Sequence, residues 1–289
     1  MRDLVLNPQT RLAAGQFTKQ SAQALLIEGV EGVGKGTLAS HISAGLLRVN
    51  PDKLAAHPYV LRLDPEGNTI SIDAIREARQ FMRLRTAGSH STRRVLIIER
   101  AERLTREAQN ALLKLLEEPP TDSVIILTAV SSVILLPTIR SRLQLLHVKP
   151  IAKKDLSTHF EKQGFSADAI ERAFHMSEGR PGLMNALLSG DNAHPLIGHI
   201  NFAKQLLALP VFERLQKVDD IAKDRAGIVT FLQASALICH SALVQASNKQ
   251  HIKQVKHWHH SLKAIALAER ALAANAQPKL CLTNLMLSL

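Results

Sequence analysis

Aromatic residues are scarce. The chain of 289 residues holds eight Phe, one Tyr and one Trp, 3% of the whole. That argues against a single-strand binder whose bases stack on an aromatic platform. Cysteine is scarcer still. Cys239 and Cys281 alone exclude a disulfide framework and a four-cysteine zinc site, and they suit a reducing cytoplasm. Uninterrupted apolar runs are also missing. A spanning helix needs about 18 or more predominantly apolar residues. Ser123–Ile139 is uncharged but broken by Ser131, Ser132 and Pro137, so it reads as a strand and a turn. Ala226–Asn248 carries Thr230, Gln233, Ser235, His240, Ser241 and Gln245, and reads as a buried bundle helix. Residues 1–20 lack the apolar stretch of a signal peptide. The expectation is a cytoplasmic protein with no membrane partner.

Acidic residues are in deficit: 25 against 36 Lys and Arg, a net charge of +11. Such an excess favours anionic partners. With 46% hydrophobic and 21% charged residues the chain can bury a core, and its length suggests two domains or three small ones.

The first half alternates apolar strand candidates with helical segments. The strands fall at Ala24–Ile27, Tyr59–Leu63, Val95–Glu99, Val124–Thr128 and Leu145–Val148. Helical spacing covers Lys35–Arg48, Asp73–Arg85 and Thr105–Glu118, the last stopped by Pro119-Pro120. Asp64–Asn68 reads as a turn. Continuous apolar strands between helices indicate a parallel sheet covered on both faces. Beyond Pro150 no segment reads as a strand. Short helices run to about Gly190, Asp191–Pro195 reads as a boundary, and the remainder is Ala/Leu-rich and helical. The expected domains are 1–149, 150–193 and 194–289.

Gly29-Val-Glu-Gly32-Val-Gly34-Lys35-Gly36-Thr37 follows the first strand and opens a helix. In that context glycines let backbone N–H groups converge on phosphate oxygens, and Lys35 reaches the outer phosphates. The usual motif follows its lysine with a hydroxyl that binds Mg²⁺. Here Gly36 takes that place and Thr37 comes one later. The matching second motif ends the strand Val95–Ile98 with Glu99, where Asp is expected for the metal. Arg100 stands where a catalytic Glu is expected, and a cation cannot act as general base. Glu102, three residues on, is expected on a different bearing. Efficient hydrolysis is therefore not expected, although ATP, and Mg²⁺ with it, remain open as ligands.

Thr105-Arg-Glu-Ala-Gln-Asn110-Ala-Leu-Leu-Lys114-Leu-Leu-Glu117-Glu118-Pro119-Pro120 resembles the signature helix of AAA+ clamp-loader subunits. Leu135-Leu-Pro-Thr138-Ile-Arg140-Ser141-Arg142 is similar to the family's Ser-Arg-Cys segment, with Leu143 for Cys. His57-Pro58-Tyr59 and Ile70–Arg76 match the stretch between the nucleotide motifs, and Ala274–Leu287 resembles the closing helix of the bacterial delta-prime type of DNA polymerase III subunit. The resemblance implies an α/β AAA+ phosphate-loop domain with a five-stranded parallel sheet, a small helical lid and an all-helical collar. It implies a pentamer with gamma/tau-type and delta subunits that loads a sliding clamp on primed DNA. A delta-prime-type member does not hydrolyse ATP and offers an arginine finger to its neighbour's. Arg142 would carry that role, with Ser141 beside it. Nucleotide-site residues carried over are Gly29, Gly32, Gly34, Lys35, Gly36, Thr37, Glu99 and Thr128, the last one residue out of register. The lid's Arg position holds Gly182, and Arg180 is expected to cap the lid helix. The four-cysteine zinc module of many members is absent, since Arg48–His57 has no Cys. The alternatives are an active gamma-type ATPase and an unrelated phosphate-loop kinase.

Arg76, Arg79 and Arg83 share a helix face in a basic stretch that continues with Arg85, Arg93 and Arg94. They read either as contacts to a duplex backbone or as a solvated face paired with a neighbour. His251, His257, His259 and His260 lack a nearby carboxylate and read as a solvated basic helix, not a metal site.

Overall fold

The structure, a computed structural model, describes residues 4–20, 22–64, 69–84, 92–192 and 194–289. Beyond Asp64, the turn expected at Asp64–Asn68 lies outside the described residues, as does Arg85. The chain divides into two compact units, Met1–Ala152 and Lys153–Leu289.

The first unit holds five parallel strands, β1 (Ala24–Glu28), β2 (Val60–Leu63), β3 (Arg94–Ile98), β4 (Ser123–Ala129) and β5 (Gln144–His147), in the order β2-β3-β4-β1-β5. Each lies within a residue or two of its expected place. The helices between them are α1 (Pro8–Gln20), α2 (Lys35–Leu47), α3 (Ile72–Arg83), α4 (Arg106–Glu117) and the short α5 (Pro137–Arg140). Alternate strand residues feed opposite faces. Leu25, Ile27, Val95, Ile97, Val124 and Ile126 pack on the face covered by α1 and α2. Leu26, Leu96, Ile98, Ile125 and Leu127 pack with Ile75 and Met82 of α3 and Leu112 and Leu116 of α4. Each fully buried Leu or Ile contributes about 1.5–3 kcal/mol, so two-sided burial is what holds the central strands. α4 begins where Thr105 accepts Ala108 N–H at 3.2 Å.

Helix α1 has no counterpart in the sequence reading. Its sequence is polar, and it is fixed by a few specific contacts. Asn7 Oδ1 accepts Gln9 N–H at 3.1 Å, and its amide donates to Pro150 O at 3.0 Å. Buried Thr10 donates to His147 O at 3.2 Å and accepts Lys149 N–H at 3.1 Å. Ala14 and Phe17 are buried in the adjoining core.

All described elements of the second unit are helices: α6 (Lys153–Lys162), α7 (Ala167–Ser177), α8 (Pro181–Ser189), α9 (Pro195–Ala208), α10 (Val211–Gln216), α11 (Val218–Ala222), α12 (Arg225–Asn248), α13 (Ile252–Ala273) and α14 (Pro278–Ser288). Gly227–Asn248 is long and apolar enough to cross a membrane by length and composition, but α12 packs against α7, α9 and α13. Ile228, Leu232 and Cys239 are fully buried there. Burial pushes the Cys239 thiol up to about 11, which makes it inert core. Leu183 and Ala186 of α8, Leu196 and Ile200 of α9 and Ala234 and Leu237 of α12 share one apolar cluster, which straddles the boundary expected at 193/194. Glu178 pairs with His240 of α12 at 2.9 Å. Arg180 is the N-cap residue of α8, and its guanidinium donates to Ser177 O at 3.0 Å.

Thr10→Val keeps the shape of the side chain and leaves His147 O and Lys149 N–H without their partner. It is expected to cost about 1 kcal/mol, or about 2–4 °C in the melting of the first unit. Circular dichroism melts check this, and an unchanged midpoint would contradict the role given to Thr10.

Candidate functional site

Four features of the first unit meet at the carboxyl edge of its sheet. β1 exits through Gly29, where a Cβ would lie 2.8 Å from Val148 O. The loop turns at Gly32 and Gly34 with φ of 81° and 92°, conformations that strain any other residue. Gly34 is the N-cap of α2 and gives it no side-chain cap. The first N–H groups of α2 are therefore unsatisfied by a cap, the arrangement that binds anions. Thr37 lies within that first turn, and His41 Nδ1 contacts its carbonyl at 3.0 Å.

Lys35 is buried against its own loop. Its ammonium donates to Gly29 O at 2.8 Å and Val30 O at 3.2 Å, and lies 3.6 Å from Glu31. To meet a phosphate it must leave these partners. Glu99, at the end of β3, is ion-paired with Arg62 of β2. Arg100 adopts φ 49° and is ion-paired with Asp64. Two crossed pairs thus join the ends of β2 and β3. The Arg100 N–H donates to Thr128 Oγ1 at 3.1 Å, so the Thr128 hydroxyl ties β4 to the end of β3.

Sequence reasoning missed Arg62, a lone cation in a strand with no motif around it. A tight 3₁₀ turn at Ala101–Arg103 follows left-handed Arg100, and Glu102 within it feels the charges of Lys35 and Glu31 of the loop. Burial pushes its carboxyl above the ordinary glutamate value, against the pull of its own and Val130's backbone and of the Lys35 charge. Its Oε2 has no hydrogen-bond partner.

These residues do not fit a divalent metal. Gly36 supplies no hydroxyl, and the Glu99 carboxylate is already taken by Arg62. No group of three or more His, Cys, Asp or Glu suited to a metal occurs among the described residues.

Arg142 sits just past α5, away from the loop in sequence. Its guanidinium donates to Thr138 O at 2.9 Å and Glu117 Oε1 at 2.8 Å, while Ser141 Oγ donates to Thr138 O at 3.1 Å. Arg142 is 36% exposed. The basic stretch separates in the structure. Arg76 pairs with Asp73 at 2.8 Å. Arg79 and Arg83 line a cavity of about 310 Å³ with Lys114, Glu117 and Glu118. Arg94 leaves the group altogether: it is buried, donates to Phe81 O at 2.9 Å and Leu84 O, and so closes the end of α3. Arg93 pairs with Asp122 at 3.3 Å.

A phosphate loop, a second acid-bearing strand and the strand order β2-β3-β4-β1-β5 define an α/β AAA+-type domain. The family model described as "DNA polymerase III, delta subunit" matches residues 8–152, half of the chain. The chain belongs to this family. A DNA polymerase III subunit delta′ of Escherichia coli K12 is 32% identical over 201 residues, covering 63% of this chain and 59% of that protein. The delta′ of Pseudomonas aeruginosa is 37% identical over 139 residues, covering 43% and 42%. The chain thus spans less than two thirds of these relatives' length. A Thermotoga maritima structure of a DNA polymerase III, gamma subunit-related protein superposes with a TM-score of 0.51 at 22% identity, covering 96% and 97%, which shows the fold. The resemblance to delta-prime-type clamp-loader subunits, read from residues 105–120, 135–142 and the tail, is borne out at the level of the family.

Glu102 supplies a test. Its folded value is raised, so its contribution to stability is full below the unfolded value, about 4.3, and is lost as pH rises through the folded one. Glu102→Gln, which cannot ionise, should raise the melting temperature at pH 7, with the gain vanishing as pH falls below the ordinary glutamate range. A difference that does not change with pH would contradict the burial of the charge.

Proposed function

We propose that this chain acts as the delta-prime-type, non-hydrolysing subunit of a DNA polymerase III clamp loader. It joins gamma/tau-type and delta subunits in a hetero-pentamer, acts in the cytoplasm, and supports loading of a sliding clamp onto primer-template DNA. One observation carries the reading: both acidic positions of the second motif are cancelled. Glu99 is spent on Arg62, and a cation, Arg100, holds the place of the water-activating base. A chain so arranged lacks the groups for turning over its own ATP, while Arg142, just past α5 and 36% exposed, is the guanidinium proposed for a neighbour's phosphate. A guanidinium delivered in trans stabilises charge developing on the γ-phosphate. The nucleotide reading of Gly29–Thr37 extends to ATP held by the loop without hydrolysis. Residues 150–193 are proposed as the lid and 194–289 as the collar. Exposed Val211 and Phe212 of α10 and Leu280 and Leu287 of α14, helices that pack on each other, are the proposed contact with neighbours. Arg79, Arg83 and Lys114 are the proposed contact to a duplex backbone.

A second reading, an active gamma-type ATPase, is favoured by Glu102. Its desolvated carboxyl near Lys35 has the raised affinity for a proton that a general base requires. The phosphate-loop kinase is set aside by the family.

Arg142→Ala is expected to lower the DNA-dependent ATPase rate of the reconstituted complex several-fold while leaving assembly on gel filtration intact. Equal turnover would remove the finger role. Phe212→Asp is expected to keep the helical content of the isolated chain and to abolish co-elution with its partners. Normal co-elution would move the contact elsewhere.

A further inference from the structure

Where a phosphate loop uses Mg²⁺, the ion offsets the charge of the outer phosphates. It is held by the hydroxyl after the loop lysine and by the carboxylate ending the neighbouring strand. In this chain both positions have changed, and the changes are geometrically linked. A Cβ on Gly36 would lie 2.8 Å from Glu99 Oε1 and 3.2 Å from Arg62 Nη2. Serine or threonine at this position would press on the flexible ends of the ion pair, which would have to shift to admit it. Gly36 and the pair share one small space.

Arg62 is held from two sides. One arm of its guanidinium pairs with Glu99, and the other donates to Ser40 Oγ at 3.3 Å, one turn after Gly36 on α2. The cation therefore lies beside the uncapped first turn of α2, against the residue whose hydroxyl would otherwise bind the metal. Its side chain is 44% exposed, so part of the planar fork remains open to an incoming anion. A guanidinium can donate to a carboxylate and a phosphate at the same time, because its five N–H groups point in different directions.

We propose that Arg62 is a built-in replacement for the divalent cation, and that the loop binds a nucleoside polyphosphate free of metal. This rests on the reading of residues 29–37 as a phosphate loop. Charge arithmetic sets the consequence. Mg²⁺ beside Glu99 would leave a net charge of one positive unit, whereas Arg62 beside Glu99 leaves none, with Lys35 the same in both cases. Binding is correspondingly weaker than in a metal-using loop. Added Mg²⁺ competes for the polyphosphate in solution and brings no new contact in the site.

The test is isothermal titration of the full chain with ATP in excess EDTA and in excess Mg²⁺. The two affinities are expected to agree within about twofold or to favour EDTA. Arg62→Ala is expected to weaken the metal-free binding about tenfold, with Arg62→Lys recovering part of it. Glu99→Gln, which frees Arg62 from its partner, should tighten it, and serves as a second variant should Arg62→Ala fail to fold. An affinity that rises about tenfold with Mg²⁺ overturns the proposal. So does metal-free binding indifferent to Arg62→Ala, or no binding in either buffer. The last outcome would leave the trans role of Arg142 standing, because that finger acts on a neighbour's nucleotide and is read out in the assembled complex.

Discussion

Parallel strands deliver all their carboxyl ends to one edge of the sheet, so whatever the chain places there must share a few ångströms of space. In this protein the shared space lies between Gly36, the end of β2 and the end of β3. Arg62 and Asp64 on one side meet Glu99 and Arg100 on the other as two crossed ion pairs. The pairs sit where a metal-using site keeps its carboxylates uncommitted. Beside them Gly36 leaves room for the Arg62–Glu99 pair, and the Thr128 hydroxyl accepts the Arg100 N–H ahead of the turn that carries Glu102.

The rest of the first unit supports this edge. Two-sided burial of β1, β3 and β4 fixes the strand ends against one another. Helix α1 ties the exit of β5 through Thr10, and Arg94 closes the end of α3 from within. Arg94 shows how a basic residue counted toward an anionic partner is instead spent inside the fold. The positive excess of the sequence therefore overstates the charge on offer. Of the residues weighed for an anionic partner, Arg79 and Arg83 line one cavity with Lys114, and Arg142 is held by Glu117.

The sheet was legible because its strands are continuous apolar runs, and α4 because Thr105 caps it and Pro119-Pro120 stops it. The phosphate loop was legible from its glycines and its place after a strand. Helix α1 was not, because its polar sequence carries no strong periodic signal and its attachment depends on partners 137 or more residues away. Arg62 was hidden for the same reason: its meaning comes from Glu99, which parallel pairing brings beside it across 37 positions.

The central claim is that this chain serves its complex without turning over nucleotide of its own. The most direct measurement is the DNA-dependent ATPase rate of the reconstituted complex carrying Lys35→Ala in this chain alone. The account predicts a rate equal to that of the unaltered complex. A fall as large as that caused by the matching lysine change in a hydrolysing neighbour would contradict it.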